Sequence, residues 1–304
     1  MAITAAMVKE LREKSGAGMM DCKKALTETD GNMEKAIEFL REKGLASAAK
    51  KADRIAAEGI VATNISADHK VAAIVEVNSE TDFVAKNEKF QNFVADVAAQ
   101  VATTTAADVD AFLAEAWAKD ASKTVADELN SQIAIIGEKM TIRRFEKITV
   151  ENGFVESYIH AGGKIGVVVE FEGEATDANR ECARNVAMQV AALSPKYVDR
   201  SEVSEEYIAH ETEILKVQAM NENPGKPENI IEKMVVGRLN KELKEVCLVD
   251  QAYVKDGDFT VAKYIASVDS ALKIKRFVRF ETGEGIEKKE ENFAEEVAKQ
   301  MGQA

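Results

Sequence analysis

One stretch of the sequence occurs twice. Residues 59–76 and 153–170 align at an offset of 94, with identities at Gly59/Gly153, Val61/Val155, Ile65/Ile159, Ala67/Ala161, Lys70/Lys164, Val75/Val169 and Glu76/Glu170, which is 7 of 18 positions. Each copy has two runs of β-forming residues around a short turn, residues 66–69 in the first and 161–163 in the second. In the first copy the runs are residues 59–65 and 71–77, in the second 153–159 and 164–170. Alternating runs around such a turn predict a β-hairpin. A helical stretch rich in valine and alanine follows each hairpin, Val97-Ala-Ala in one case and Val190-Ala-Ala in the other, at an offset of 93. The constant offset through strand, turn and strand makes duplication a better explanation than the chance likeness of two valine-rich hairpins. A repeat fixes architecture early. It predicts an α+β chain whose core holds two related subdomains.

The rest of the pattern fits around this repeat. After the first hairpin, Phe90, Phe93, Val94, Val97 and Val101 recur at helical spacing. Helical segments continue to about Gly137, and residues 140–150 read as a third strand. In the second half, residues 274–280 can play that third-strand role, after a short helix at 260–267. Between them, residues 204–243 read as two helices around a turn holding Pro224 and Pro227, an antiparallel helical hairpin. Asn292 and Glu295 form a capping-box pattern for a closing helix. The first 44 residues read as three short helices. Thr4 and Asn32 are their caps, Ile3 and Val8 form a hydrophobic staple, and stops fall at Gly16, Gly31 and Gly44. Residues 45–57 read as a connecting helix or linker. The expected domains are therefore 1–54, 55–150, 151–203 with 244–282, 204–243 and 283–304.

Charge separates the first of these from the rest. Residues 1–54 hold 11 Lys/Arg and 9 Asp/Glu, a balance of +2, whereas the remainder of the chain is −15 of the total −13. A strongly acidic chain lacks the basic footprint of a general nucleic-acid binder. Cys22, Cys182 and Cys247 are odd in number and widely spaced, which predicts reduced thiols and a cytoplasmic protein. No apolar run reaches the ~18 residues of a membrane span, and the charged N-terminus has no signal-peptide core.

Catalytic signatures are missing from the sequence. Lys164 in Gly162-Gly-Lys-Ile-Gly166 and Lys226 in Pro224-Gly-Lys-Pro227 lack a phosphate-binding loop and the Ser/Thr that follows it. Gly16-Ala-Gly18 does not follow a strand. His69, His160 and His210 are too few and too scattered for a metal site. These patterns do not mark an enzyme, and no cofactor or metal is expected.

Two places break the core logic instead. Met19 and Met20 open a helix in a module too small to bury both, so they are either core or soft contact residues. Phe83 and Val84 sit in a polar corner between strand and helix, outside both periodicities. The pair is either an anchor for a partner's pocket, or Phe83 tucks back as a plug of the loop.

The second corner, Thr81-Asp-Phe-Val-Ala-Lys-Asn87, resembles a signature of the bacterial elongation factor Ts family. The N-terminal run from Val8 to Leu26, with Gly16-Ala-Gly-Met-Met20, resembles another. Ile136-Gly-Glu-Lys-Met-Thr-Ile-Arg-Arg144, Tyr158-Ile-His-Ala-Gly-Gly-Lys-Ile-Gly166 and Phe280-Glu-Thr-Gly-Glu-Gly-Ile286 are similar too, in order along the chain. The resemblance implies guanine-nucleotide exchange on the GTPase elongation factor Tu during translation, with no direct nucleic-acid or membrane partner. It also implies a ubiquitin-associated-like three-helix N-terminus, two related core subdomains, a coiled-coil hairpin and a C-terminal module. By matched position, Thr81, Asp82, Phe83 and Val84 would form the segment linked to Mg²⁺ dislocation. Ile136 and Gly137, and Met19 and Met20, would touch the same partner domain, and His160 a different one. Some relatives carry histidines near Asn185 and Gln189, and these are absent here. The rival reading is an interaction module without exchange activity.

Overall fold

The computed structural model describes residues 3–287, so the expected closing helix with Asn292 and Glu295 lies outside the described residues. Within them the chain divides into two compact units. The first takes the chain up to Ala62, Val75–Phe145 and the residues after Phe280. The second takes Thr63–Ile74 and Glu146–Phe280.

Three helices open the first unit: α1 (Ala5–Ser15), α2 (Met19–Glu28) and α3 (Met33–Ala49). Thr4 caps α1 by accepting from the Met7 amide, and Gly16 ends it in the left-handed region. Asn32 caps α3 through the Lys35 amide. Val8, Leu11, Cys22, Ala25, Leu26 and Ala36 form the module's small core. Gly44 does not stop α3, contrary to the sequence expectation. It is buried in mid-helix, where an added Cβ would lie 3.4 Å from the Asn130 carbonyl oxygen. At that ordinary contact distance the glycine is a contact point between α3 and its neighbour rather than a terminator, and α3 runs on to Ala49, into the residues expected to form a connecting helix or linker.

A hairpin follows, β1 (Glu58–Ile65) and β2 (Val71–Ser79), then a single helical turn α4 (Asp82–Ala85) and the long α5 (Glu88–Val101). The predicted apolar stripe of α5 is buried along its whole length. Next come α6 (Val109–Ala114), β3 (Ala116–Trp117), β4 (Asp120–Thr124), α7 (Val125–Ile136) and β5 (Met140–Thr149). The second half repeats the plan with β6 (Phe154–His160), β7 (Ile165–Glu172) and α8 (Asp177–Leu193). The helical hairpin α9 (Glu205–Glu222) and α10 (Glu228–Val246) comes next. Then follow β8 (Ala252–Tyr253), β9 (Asp256–Thr260), α11 (Val261–Val268) and β10 (Lys273–Glu281).

The two larger sheets have the orders β1-β2-β5 and β10-β7-β6. In each, the second hairpin strand is central and a late strand closes the sheet, as the repeat requires. The duplication extends to details that were not legible in the sequence. The small hairpins share one register, Ala116↔Thr124 with Trp117↔Asp120 and Ala252↔Thr260 with Tyr253↔Asp256. Thr124 and Thr260 then cap the helices that follow. An arginine Nε donates to a glutamate Oε2 on the central strand in both sheets, Arg144 to Glu76 at 2.6 Å and Arg276 to Glu170 at 2.8 Å.

A buried glutamine in each long helix binds the same pair of backbone groups. Gln100 donates to Ala116 O at 3.0 Å and accepts from Ala118 N at 2.9 Å; Gln189 donates to Ala252 O at 3.0 Å and accepts from Val254 N at 2.8 Å. These glutamines set the helix alignment at 189 − 100 = 89. The offset of 93 expected from Val-Ala-Ala is therefore one turn out, and Val97 corresponds to Val186.

Gly59 and Gly153 explain their own identity in the repeat. At φ of 127° and 103°, an added Cβ would lie 2.2 Å from Val77 O and 2.0 Å from Phe171 O. Only glycine admits so close a crossing of the neighbouring strand. The second unit's core gathers Phe154, Val167, Val169 and Phe171 of its sheet with Val186 and Val190 of α8. The helical hairpin has cores of its own, one of Val203, Leu243 and Cys247 and another of Ala219, Ile231 and Val235.

Candidate partner-binding site

Phe83 stands on α4, a helix of four residues. So short a helix does not sustain itself, because nucleation fixes several dihedrals for one hydrogen bond. Its order comes from its ends. Thr81 is the N-cap, extended at φ −126° and ψ 157°, and its hydroxyl accepts from the Val84 amide. The Thr81 amide and hydroxyl both donate to the Glu138 carboxylate, at 3.0 and 2.7 Å. Ser79 Oγ donates to Thr81 O, and the Gln91 side chain donates to Ala85 O at the far end. Asp82 pairs with Lys86 at 2.7 Å.

This turn separates the two apolar residues of the corner. Val84 is buried, together with Ala85, whereas Phe83 is 80% exposed. Phe83 is thus not a plug of the loop but projects into solvent, while its neighbour Val84, expected to share the anchor role, packs inward. Among the described residues, Phe83 is the most exposed of the exposed large apolar side chains.

Ile136 and Gly137 lie at the end of α7. Ile136 is half-buried, and Gly137 is exposed and ends the helix at φ 90°. The next two residues join this end to the α4 corner. Glu138 takes the Thr81 amide, and Glu80 takes the Lys139 amide at 2.5 Å. Each segment therefore supplies a carboxylate to the other's backbone. Lys139 Nζ donates to the carbonyls of Ala52 and Arg54 at 2.6 and 2.8 Å, and Arg54 pairs with Glu80. Residues 52–54, 80–84 and 136–139 are brought together in this way. Sequence reasoning singled out residues 81–84, 136 and 137 but missed Glu80, Glu138, Lys139 and Arg54, whose charges look like ordinary solvated positions.

Met19 and Met20 stand on α2, 59% and 74% exposed. Neither is core. With Val8 they line an open groove of about 400 Å³ that also takes in Lys9, Arg12 and Lys23. His160, the last residue of β6, belongs to the second unit, is exposed, and lies 3.0 Å from the Tyr158 hydroxyl through Nδ1. On α8, Asn185 is held by Tyr264 and Lys255, and Gln189 is fully buried, so both side chains have internal partners.

Below the corner, Glu76 is fully buried and gathers four sets of donors. Gly283 N lies at 2.7 Å, Asn78 Nδ2 at 3.0 Å, Arg143 Nη1 at 3.0 Å and Arg144 Nε at 2.6 Å. Burial alone would raise its pKa. The Gly283 amide, Asn78 and the two guanidiniums overcome that and hold the carboxyl below the usual glutamate value. Within the first unit, this network joins the turn after β10 to β2 and β5, and gives the arginines of the 136–144 motif a structural role.

The three cysteines are free and buried, and burial pushes the Cys182 thiol up to about 11. Among the described residues, no group of three or more His, Cys, Asp or Glu is placed to hold a metal ion. None of the helices there is long and apolar enough to cross a membrane.

Comparison with known proteins agrees with the motifs. The family model described as Elongation factor TS matches residues 80–284, more than half of the chain. Elongation factor Ts of Clostridioides difficile (strain 630) is 60% identical over 304 residues, covering 98% of this chain and 99% of that protein. Elongation factor Ts of Clostridium novyi (strain NT) is 56% identical, over 99% of each chain. That of Clostridium tetani (strain Massachusetts / E88) is 57% identical, over 98% of this chain and 99% of its own. With both signature segments folded at the surface of an α+β core of two related halves, the chain belongs to the elongation factor Ts family of translation elongation factors.

Proposed function

We propose that this chain is the guanine-nucleotide exchange factor of elongation factor Tu in the cytoplasm. It binds the GDP form, promotes release of Mg²⁺ and GDP, and so regenerates the GTP form. It performs no bond chemistry of its own. The observation that carries this reading is Phe83, an 80% exposed aromatic on a turn anchored at both ends.

The physical basis is differential binding. A GTPase holds the nucleotide phosphates and Mg²⁺ with backbone amides, a lysine and hydroxyl groups. A factor that binds best to the nucleotide-free form weakens nucleotide binding by the same coupling free energy. An aromatic that inserts into a partner pocket supplies about 2 kcal/mol or more as a hot spot. In this reading Asp82 and Phe83 enter between helices of the GTPase domain and disturb the Mg²⁺ side of the site. Thr81 and Val84 are the fixed feet of that element. Ile136 and Gly137 meet the same domain beside it, and Met19 and Met20 dock on it from the N-terminal module. His160 meets a different domain. The exposed methionines and their basic surroundings support the docking role, since methionine adapts to a partner surface.

Reciprocity gives the test. The chain is mixed with elongation factor Tu and separated by gel filtration, with and without GDP and Mg²⁺. The proposal expects a complex with nucleotide-free partner that dissociates as GDP and Mg²⁺ are added. Equal binding with and without nucleotide would refute exchange by differential binding and leave docking alone.

A further inference from the structure

We propose that Glu138 is a positioning residue for exchange, acting through Phe83; this rests on the exchange reading above. Glu138 lies one residue beyond the α7 cap, outside the proposed contact segments. Its carboxylate nevertheless takes both donors of Thr81, the amide at 3.0 Å and the hydroxyl at 2.7 Å.

The second bond has a directional consequence. A hydroxyl has one proton and two lone pairs. With the proton committed to Glu138, the lone pairs of Thr81 Oγ1 are free to accept from the Val84 amide, at 3.4 Å. Glu138 therefore completes the cap that starts the turn under Phe83. Without it, the hydroxyl would rotate to other acceptors, and a four-residue helix has little of its own to hold it. The return bond from Lys139 N to Glu80 closes the joint, at 2.5 Å, so the turn and the α7 end move as one piece. An exposed aromatic that is already held in its bound position loses less freedom on association. The function of Glu138 is that pre-organisation.

The role predicts an effect on Phe83 that needs no contact between Glu138 and the partner. The experiment measures stimulated GDP release from elongation factor Tu with the full chain as wild type, Glu138→Ala, Phe83→Ala and the double variant. Amide hydrogen exchange of residues 81–87 is measured on the same samples. Glu138→Ala is expected to slow stimulated release about tenfold, in line with losing charge-assisted hydrogen bonds. Faster exchange of the Val84 and Ala85 amides should accompany it. The double variant should be no slower than Phe83→Ala. Glu138→Gln keeps an oxygen for the Thr81 hydroxyl but opposes the amide with an NH₂ group, and should fall between wild type and Glu138→Ala.

Two results overturn the proposal: unchanged release by Glu138→Ala, or a double variant slower than Phe83→Ala by the full factor that Glu138→Ala shows alone. The second would mean that Glu138 acts independently of Phe83. A wild-type chain that does not accelerate release overturns the exchange reading and the positioning role with it. Loosened 81–87 amides in Glu138→Ala would then locate that failure in the exchange reading, not in the joint.

Discussion

Replacing Glu76 by alanine removes the buried carboxylate of the central strand β2 that accepts from the turn after β10. Two costs follow from the geometry. The Gly283 amide loses its acceptor in a buried position, which costs about 1–3 kcal/mol. Arg143 and Arg144 lose their buried partner, a change worth roughly 3–5 kcal/mol in a fully buried pair, although Arg144 keeps the Glu284 carboxylate at 3.1 Å. Their side chains are 28% and 32% exposed, so water recovers part of that term. The sum is about 4 kcal/mol, a large share of the ~5–15 kcal/mol that stabilises a domain. It corresponds to a fall in Tm of roughly 10 °C. The assay is thermal unfolding followed by circular dichroism across pH. Because the folded pKa of Glu76 lies below its usual value near 4.5, its contribution is complete above pH 4.5 and is lost as pH falls through the depressed value. The gap between wild type and variant should therefore be full at neutral pH and close in acid. A variant that melts within about 2 °C of wild type at neutral pH would refute the reasoning. So would a gap that stays constant into strong acid.

The other predictions use the same melting assay. Gly153→Ala places a Cβ 2.0 Å from the Phe171 carbonyl oxygen at φ 103° and should cost about 3 kcal/mol or more; Gly59→Ala should behave alike, and a neutral result for either would contradict the repeat's crossing geometry. Gln189→Leu strands the Ala252 carbonyl and the Val254 amide and should cost roughly 2–4 kcal/mol, where an unchanged Tm would mean that the buried glutamine is not a staple. Gly44→Ala should be tolerated or gain up to about 1 kcal/mol, since its Cβ would meet Asn130 O at 3.4 Å while the helix gains propensity; a loss of several degrees would show that α3 and α7 admit no added atom there.

Much of this architecture was legible in the sequence because it rests on local pattern. The two hairpins, the stripe of α5, the caps at Thr4 and Asn32 and the proline turn of the helical hairpin all follow from period and turn chemistry. The third strands were legible through the repeat: once β5 was read, β10 had a place to fill. The errors fell where a pattern is degenerate. A helix with small apolar residues at regular spacing slips by one turn without changing its stripe, so Val97 was matched to Val190. Only the buried Gln100 and Gln189 distinguish Val186. Gly44 read as a stop because glycine serves both as terminator and as contact point, and only the neighbouring helix decides which. The strands β3, β4, β8 and β9 are too short to show alternation. At the site, the sequence marked Phe83 and Val84 as anomalous but could not divide them between solvent and core. The joint through Glu80 and Glu138 spans residues 80 to 139, and no local pattern reports such a pairing.

The central claim is that Phe83 drives nucleotide release from elongation factor Tu. Its most direct test is release of fluorescent GDP from the purified partner into excess unlabelled GDP, with increasing wild-type chain or Phe83→Ala. Wild type should accelerate release strongly and saturably. Phe83→Ala should be at least about tenfold slower at equal concentration, as expected for losing a hot-spot aromatic. Its Tm should not change, because the side chain is 80% exposed in the free chain. A folded Phe83→Ala chain that matches wild type, or a wild-type chain that leaves release unchanged, would contradict the account.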